Sequence, residues 1–420
     1  MSGESPVKAL LIAFSDDAPA AVYVINRLQP DLLCFFVPAS AKPRIDQDIQ
    51  PKLAKLPRRW DAVVTTDPQD FMASFQALAR TLPDLLRTWE VQAGELIMDL
   101  TGATSAMAAA MMVGGMPFSS RVLMLGQAGS GTSGKSEPVM VEGRARVLMQ
   151  GNPWDEADAL GRREACEHFN RGAFTSAATL FKHLEARVSG GQKPLYHALA
   201  DLAEGYALWE RFQHRQAWDK LKTAGKALDM VSVWGGPPGL KGLVPTLKHN
   251  AGFLEKLVLD PQEVKEHLAL DLLAHARRRA QHDQHYEAAM ATLVRALEAF
   301  AQWQLFKGHR ITSWDVRPDQ LPQALRQTCE TCYLDDVDGK FKLPLYAQFR
   351  ALAGLGDPMG QIYLAQWAKM KPLFDAAGQA VLGHGFEPIK AERFTQLYGL
   401  VVKITNVPED ALPRFPVLTL

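Results

Sequence analysis

The sequence has few cysteines, no excess of charge of either sign and no long hydrophobic run. Four cysteines in 420 residues are too few for a disulfide framework, which favours a reducing compartment. The 46 basic and 46 acidic side chains cancel, so no global charge attracts nucleic acid or an anionic membrane. The first apolar run, residues 9–14, is too short for a signal peptide or a bilayer span. We therefore expect a soluble, cytoplasmic protein without membrane contact.

The first third of the chain alternates apolar runs with helical patterns. Five of the runs have the length and character of buried parallel strands, namely residues 7–14, 31–37, 60–65, 95–100 and 121–125. Strands that alternate with helices over one domain length are typical of a Rossmann-like, doubly wound α/β fold with a parallel sheet. In such a sheet, ligands bind at the carboxyl ends of the strands.

The rest of the chain, from residue 154 onward, is almost entirely helical in pattern, and GGPPG at residues 235–239 is its clearest break. The fold class we expect is therefore α/β followed by all-α. We divide it into an α/β domain at residues 1–150, a helical linker domain at 151–259 and a second helical domain at 260–420.

One stretch of the α/β domain has the pattern of an anion site. Residues 95–107 predict a strand, then a turn of small residues, then a helix that begins at Ser105. Main-chain N–H groups and hydroxyls at a helix N-terminus suit a phosphate. Polar residues that follow other strands share this edge of the sheet. The candidate binding residues are Ser15, Asp16, Ser40, Thr101, Gly102, Ala103, Thr104 and Ser105.

Three other patterns favour structural roles. GSGTSGKS at residues 129–136 matches the Walker A pattern, but a strand-like segment follows it where a P-loop needs a helix. Cys329 and Cys332 form a lone CxxC without the two further ligands of a structural zinc site. Arg277 and His282 fit a pattern of arginine, four residues and histidine, but they end a basic helix, which favours a solvated face.

His384 is a stronger candidate for acid–base chemistry. It lies in LGHGFEP at residues 382–388, between two glycines and four residues before a proline. A histidine held in such unusual backbone near a helix end can exchange protons near neutral pH.

Two of these segments resemble motifs of one family. DLTGATSAM at residues 99–107 is similar to the CARF signature D-x-T-G-G-T-K-x-M, and residues 382–388 are similar to the end of the HEPN motif R-N-x-S-x-L-A-H-G-F-E-P. The order, CARF first and HEPN last, resembles the CARF–HEPN ancillary ribonucleases of type III CRISPR systems. The resemblance extends over the whole chain.

The resemblance implies a function and its partners. A cyclic oligoadenylate, with the tetra-adenylate favoured, would bind the eight candidate residues across a CARF homodimer. The HEPN domains of the dimer would then cut single-stranded RNA without a metal ion. His384 would handle protons while an arginine stabilises charge on the phosphorus. The implied role is that of a cyclic oligoadenylate-activated endoribonuclease of antiviral defence.

The sequence departs from the family pattern at two positions. Ser105 stands where the CARF motif has lysine, and the HEPN arginine is missing. Counting back from His384 with four, five or six residues between gives Gln379, Gly378 and Ala377, and the alignment favours Ala377 as the vacated place. The chain is either a natural inactive member or an engineered one, and the intact remainder of the motif favours engineering.

Three alternatives remain open at the level of sequence. The chain could be a sensor that binds the ring and passes the signal to a partner without cutting RNA. It could be a ring nuclease, in which Ser15, Thr101 and Thr104 orient a ribose hydroxyl. As a P-loop ATPase it would lose nucleotide binding on Lys135→Ala.

Overall fold

The computed structural model describes residues 7–92, 95–127, 137–140, 145–151, 161–188, 190–262, 264–282 and 284–420. These residues form two compact units. One comprises residues 1–165 and 178–200, and the other comprises residues 166–177 and 201–420. The Walker A match at residues 129–136 lies outside the described residues.

The first unit is built on a sheet whose described strands have the order β3-β2-β1-β4-β5-β7-β6. The first five strands are parallel, and β7 and β6 continue the sheet antiparallel to β5. The parallel part confirms the predicted Rossmann-like arrangement. The strands are β1 Ala9–Phe14, β2 Leu32–Pro38, β3 Arg59–Thr65, β4 Leu96–Gly102, β5 Ser119–Gln127, β6 Glu137–Met140 and β7 Ala145–Gly151.

Helices cover both faces of this sheet. They are α1 Ala18–Leu28, α2 Phe71–Thr88 and α3 Ser105–Gly114, with three short helical turns, Lys42–Arg44, Ile45–Ile49 and Gln50–Lys52, after β2. Alternate residues of β1 enter two different cores: Leu11 packs with α2 and α3, and Ile12 packs with α1. All six residues of β1 are buried, which explains its continuous apolar sequence.

The strand β4 is longer than the sequence pattern predicts. It continues through Thr101 to Gly102, where we expected a turn. The extension arises from tertiary contacts, because Gly102 is opposite Phe14 in β1 and its carbonyl accepts hydrogen bonds from both the amide and the hydroxyl of Ser15. A Cβ atom at Gly102 would lie 2.5 Å from the carbonyl oxygen of Ala13, so only glycine fits there.

The remainder of the described chain is helical, as predicted. The helices are α4 Gly161–Asn170, α5 Phe174–Arg187, α6 Lys193–Glu210, α7 His214–Val233, α8 Leu240–Leu259, α9 Glu266–His282, α10 Tyr286–His309, α11 Gln323–Cys332, α12 Leu345–Gly354, α13 Pro358–Gly378 and α14 Ala391–Thr405. The predicted break at residues 235–239 separates α7 from α8. Among the described residues, no helix combines the length and apolar character that crossing a bilayer requires.

The second unit has an aromatic core to which the last residues of the described chain contribute. Phe415 packs against Tyr206 and Trp209, with ring centroids 4.5 and 5.0 Å apart. The Asn170 side chain forms two hydrogen bonds with the main chain of Leu418: its Oδ1 accepts from the amide at 2.7 Å, and its Nδ2 donates to the carbonyl oxygen at 3.0 Å. These contacts fix the final segment, residues 413–420, against the helices.

Candidate functional site

The predicted ligand-binding residues lie at the carboxyl edge of the parallel sheet. Ser15 and Asp16 follow β1, Ser40 follows β2, and the segment from Thr101 to Ser105 ends β4 and begins α3. Because β1 lies between β2 and β4, these three chain segments are neighbours at one edge. Ser40 and Ser105 are exposed, while Ser15 and Thr101 are half-buried.

The hydroxyl protons of three candidate residues already have acceptors within the protein. Ser15 Oγ donates to Gly102 O at 2.7 Å, Thr101 Oγ1 donates to Asp99 Oδ1, and Thr104 Oγ1 donates to Pro68 O. Thr101 Oγ1 also accepts from the amide of Leu125 at 3.0 Å, and Thr104 caps α3 by accepting from the amide of Met107. These hydroxyls therefore hold the turn in place.

What remains for a ligand at this edge is the start of α3. An α-helix leaves the N–H groups of its first turn without partners inside the helix, and its dipole favours negative charge there. In α3 these include the amides of Ser105 and Ala106, and the Ser105 side chain is exposed. The group best suited to bind here is a phosphate or another anion.

Arg44 supplies a cation at the same edge, and the sequence analysis did not identify it. Its guanidinium donates to the carboxylate of Asp16 at 2.6 Å and to Asp48 at 2.9 Å, and it lies over the Phe14 ring at 5.5 Å. The contact with Asp16 places Arg44 beside a predicted binding residue. A signal was present, since Arg44 follows Ser40 by four residues, but only the folded turns after β2 bring it to Asp16.

Asp99 is the buried acid beneath this edge. One carboxylate oxygen accepts from the Thr101 amide at 3.0 Å and from its hydroxyl, and the other, Oδ2, is buried without a hydrogen-bond partner in the described part of the chain. Burial raises the pKa of Asp99 to about 6, although the hydrogen bonds from Thr101 act in the opposite direction. Near neutral pH, the ionised form of Asp99 therefore lowers the stability of the folded protein.

His384 lies on a loop that folds back over the end of α13. Its amide donates to Gly378 O at 2.7 Å, and the amide of Glu387 donates to Gln379 O at 3.1 Å. The loop therefore satisfies main-chain carbonyls that α13 leaves open at its C-terminus. The His384 side chain is exposed, and its imidazole forms no hydrogen bond or ion pair with any residue that the structure describes.

The two glycines beside His384 are required by this fold-back. A Cβ atom at residue 383 would lie 2.4 Å from Ala377 O, and one at residue 385 would lie 2.2 Å from Gln379 O. Real Cβ atoms do not approach main-chain oxygens so closely, so the loop can approach α13 only with glycine at both positions. The unusual backbone that we inferred around His384 is thus a close approach of two main chains.

Glu287 holds the loop from the other side. Its carboxylate accepts from the Ile389 amide at 2.6 Å and from the Leu382 amide at 3.5 Å, and Glu287 lies in the first turn of α10. His384 is therefore placed between the end of α13 and the start of α10. The three positions counted back from it, Ala377, Gly378 and Gln379, all lie under this loop, with Gln379 exposed and Ala377 half-buried.

The other sequence candidates lie elsewhere. Cys329 and Cys332 are both free, the first buried and the second exposed on α11. Arg277 and His282 belong to the last turns of α9. Within the described ranges, no three His, Cys, Asp or Glu side chains are grouped as a metal site would require.

Two family models match the helical part of the chain. The model of the Csm6 6H domain matches residues 157–254, and the model of the Csm6 HEPN domain matches residues 261–408. Together they cover more than half of the chain. No curated protein matches. Among 18 matching chains of solved structures is Enterococcus italicus Csm6 bound to cyclic hexa-2'-fluoro-hexa-dAMP, with 12% identity, 96% coverage of each chain and a TM-score of 0.48.

Proposed function

Because the chain belongs to the Csm6 family of CARF–HEPN ancillary ribonucleases of type III CRISPR systems, we propose that it is built as a cyclic oligoadenylate-activated endoribonuclease of antiviral defence. The observation that supports this most is the position of His384: it lies inside the matched HEPN segment, exposed, on a loop fastened to two helices. Cleavage of single-stranded RNA by an Ala377→Arg variant in the presence of the ring tests the proposal.

The proposed reaction needs no metal ion. The 2′-hydroxyl of a ribose attacks the adjacent phosphate, and the bond to the 5′-oxygen of the next nucleotide breaks. The His384 imidazole exchanges the protons of this step, as a histidine side chain does in general acid–base catalysis. The products are a 2′,3′-cyclic phosphate and a free 5′-hydroxyl.

The reaction also needs a cation near the phosphorus, and none is contributed by residues 377–379. We assign the vacated arginine position to Ala377. It lies in the last turn of α13, directly beneath Gly383 of the His384 loop. Without a guanidinium there, the negative charge of the transition state is uncompensated, and loss of one such donor costs about a hundredfold to a thousandfold in rate. In this form the chain is nearly inactive.

We further propose that the protein acts as a homodimer. A surface next to His384, formed by Val381, Leu382 and Phe386, is apolar and exposed, and the Phe386 side chain is 95% exposed. Adjacent exposed apolar side chains on this scale mark an interaction surface. A two-fold dimer through this surface would bring two copies of His384 to one RNA phosphate.

The proposed activator binds at the carboxyl edge of the sheet. Its phosphates would approach the amides that begin α3, with Ser15, Asp16, Ser40 and the Thr101–Ser105 segment around them. Arg44, which pairs with Asp16 and Asp48, is the basic residue that we propose in place of the CARF lysine absent at Ser105. We retain cyclic tetra-adenylate as the first ring to test and cyclic hexa-adenylate as its comparison.

A sensor without ribonuclease activity is the second candidate, and the absence of arginine at residues 377–379 favours it. It predicts ring binding with no cleavage, even after arginine is restored. The ring-nuclease alternative has less support. The hydroxyl protons of Ser15, Thr101 and Thr104 are engaged with acceptors inside the protein, so these groups can orient a ribose hydroxyl only as acceptors.

The domain division and the cellular location belong to the same proposal. We assign residues 1–150 to the ring-binding CARF domain, residues 151–259 to the linker domain and residues 260–420 to the HEPN domain, and we place the protein in the cytoplasm, where RNA is its substrate.

A further inference from the structure

A second site is suggested by a cavity of about 210 Å³ in the helical unit, away from the His384 loop residues. Its walls come from the turn between α4 and α5, the ends of α6 and α9, and the segment near residue 416. The side chains that give the cavity its chemistry are Phe174, Glu210, Arg211, Arg278, Arg279 and His282.

The cavity has more positive than negative charge. Among the residues that the structure describes, three arginines line it, against the single carboxylate of Glu210. That carboxylate is shared, since its Oε1 accepts from Arg278 Nε at 2.7 Å and its Oε2 lies 3.4 Å from Arg279 Nη2. Burial alone would raise the pKa of Glu210, but the hydrogen bond from His275 and the charge of Arg278 outweigh burial and lower it to about 2. Glu210 is therefore ionised, and its charge is shared between Arg278 and Arg279.

Arg278 adds a buried positive charge beside the cavity. The residue is 7% exposed, and its Nη1 and Nη2 atoms are buried without a hydrogen-bond acceptor in the described part of the chain. The nearest acid on that side, Asp271, has its oxygen 3.8 Å from Nη2, and the Phe415 ring lies 3.9 Å from the guanidinium carbon. A buried cation with unused donors is costly, and an anion nearby reduces this cost through the low dielectric of the interior.

The rim offers groups that a ligand can reach from solvent. Arg211 and His282 are exposed, and Arg211 donates to the hydroxyl of Thr175 at 3.2 Å. Guanidinium groups bind phosphate oxygens through two parallel hydrogen bonds, whereas Phe174 and Phe415 give the cavity an apolar wall. The volume is below the ~300 Å³ of typical small-molecule pockets, which suits one phosphate with its sugar.

We propose that this cavity binds the phosphate group of a nucleotide, with the guanidinium groups of Arg211 and Arg279 on the phosphate and the aromatic wall on the sugar. The nucleotide can be free or can be one unit of an RNA strand. The RNA source rests on the proposed ribonuclease function, whereas the free nucleotide does not.

Direct binding measurements test this site without relying on cleavage. The full chain is titrated with 5′-AMP and with adenosine by calorimetry, and with a labelled single-stranded oligoadenylate by fluorescence anisotropy. Arg211→Ala and Arg279→Ala each remove one cation from the cavity. Arg317→Ala is the matched control, because it removes an exposed arginine of the same unit that does not line the cavity.

We expect 5′-AMP to bind and adenosine not to bind, with the affinity about tenfold weaker in either cavity variant and unchanged in the control. If the cavity variants lose affinity only for the oligoadenylate, the result supports an RNA strand as the source of the nucleotide. If they lose affinity for 5′-AMP, it supports the free nucleotide. Equal affinities of all four proteins for both ligands would overturn the site. Arg279→Ala removes a partner of Glu210. If this variant melts at a lower temperature than the unmodified chain, the comparison rests on Arg211→Ala alone. None of these outcomes depends on whether His384 supports cleavage.

Discussion

The main-chain N–H of His384 donates to the carbonyl oxygen of Gly378 across 2.7 Å, which fastens the candidate catalytic histidine to the last turn of α13. An arginine side chain that starts from this turn and the imidazole of His384 would therefore belong to one local unit. This contact explains how a loop of exposed residues can hold a side chain with the accuracy that catalysis requires.

The glycines of the loop give the first prediction. Gly385→Ala places a Cβ atom 2.2 Å from Gln379 O, so the loop must move away from α13. We expect a loss of about 1–3 kcal/mol in the free energy of unfolding. Gly399→Ala is the control, since Gly399 lies in α14 with open space around it, and we expect a gain of about 0.5–1 kcal/mol there. Denaturant titration measures both, and a neutral Gly385→Ala would refute the close approach.

The exposed apolar surface beside His384 gives the second prediction. Phe386→Asp introduces a charge into the proposed interface, and we expect the dimer to dissociate at micromolar concentration in light scattering. Val337→Asp is matched to it, because Val337 is another apolar side chain with 96% exposure on a different loop. Dimers that persist in both variants, or a wild-type monomer, would contradict this interface.

Arg44 gives the third prediction. Arg44→Ala removes the cation beside Asp16, and we expect the affinity for cyclic tetra-adenylate to fall about tenfold, which corresponds to about 1.4 kcal/mol. Arg87→Ala removes an exposed arginine of α2 that pairs only with Asp84 among the described contacts, and it should bind the ring like the unmodified chain. Titration of labelled ring measures both. Equal weakening by the two changes would mean that the effect is one of net charge.

The buried Asp99 gives the fourth prediction, a pH dependence. Its pKa is raised from 3.8 to about 6 in the folded protein, so the folded state favours the proton. Asp99 therefore contributes its full stabilisation, as the protonated acid, below about pH 4. As the pH rises through about 6, the free energy of unfolding falls by up to about 3 kcal/mol.

Asp99→Asn removes this dependence and keeps the oxygen that accepts from Thr101. We expect the variant to unfold at higher temperature than the unmodified chain at pH 7 and to differ little from it at pH 4. The exposed Asp84→Asn serves as the control. The same melting difference at both pH values would show that the charge of Asp99 is not the cause.

Sequence reasoning located what depends on local pattern and missed what depends on tertiary contacts. Strand β1 forms within the predicted run of residues 7–14, because a strand that is buried on both faces needs a continuous apolar sequence. Strand β4 runs to Gly102 because Ser15, 87 residues away, bonds to it. Arg44 and the cavity around Arg278 could not be predicted for the same reason: their partners come from separate segments of the chain.

The measurement that tests the central claim most directly is cleavage of single-stranded RNA after an arginine is restored beside His384. Ala377→Arg is compared with Gly378→Arg and Gln379→Arg, which represent the other two spacings, and with Ala377→Gln, which has similar bulk and no charge. Each is assayed without ring, with cyclic tetra-adenylate and with cyclic hexa-adenylate, and ring binding is measured in parallel.

We predict that Ala377→Arg cuts RNA at least about a hundredfold faster than the unmodified chain when a ring is present, and leaves 2′,3′-cyclic phosphate ends. Ala377→Gln should stay as slow as the unmodified chain, and a second change, His384→Ala, should abolish the gained activity. If all three arginine variants bind the ring and none cuts RNA with either ring, the ribonuclease account is contradicted and the sensor takes its place.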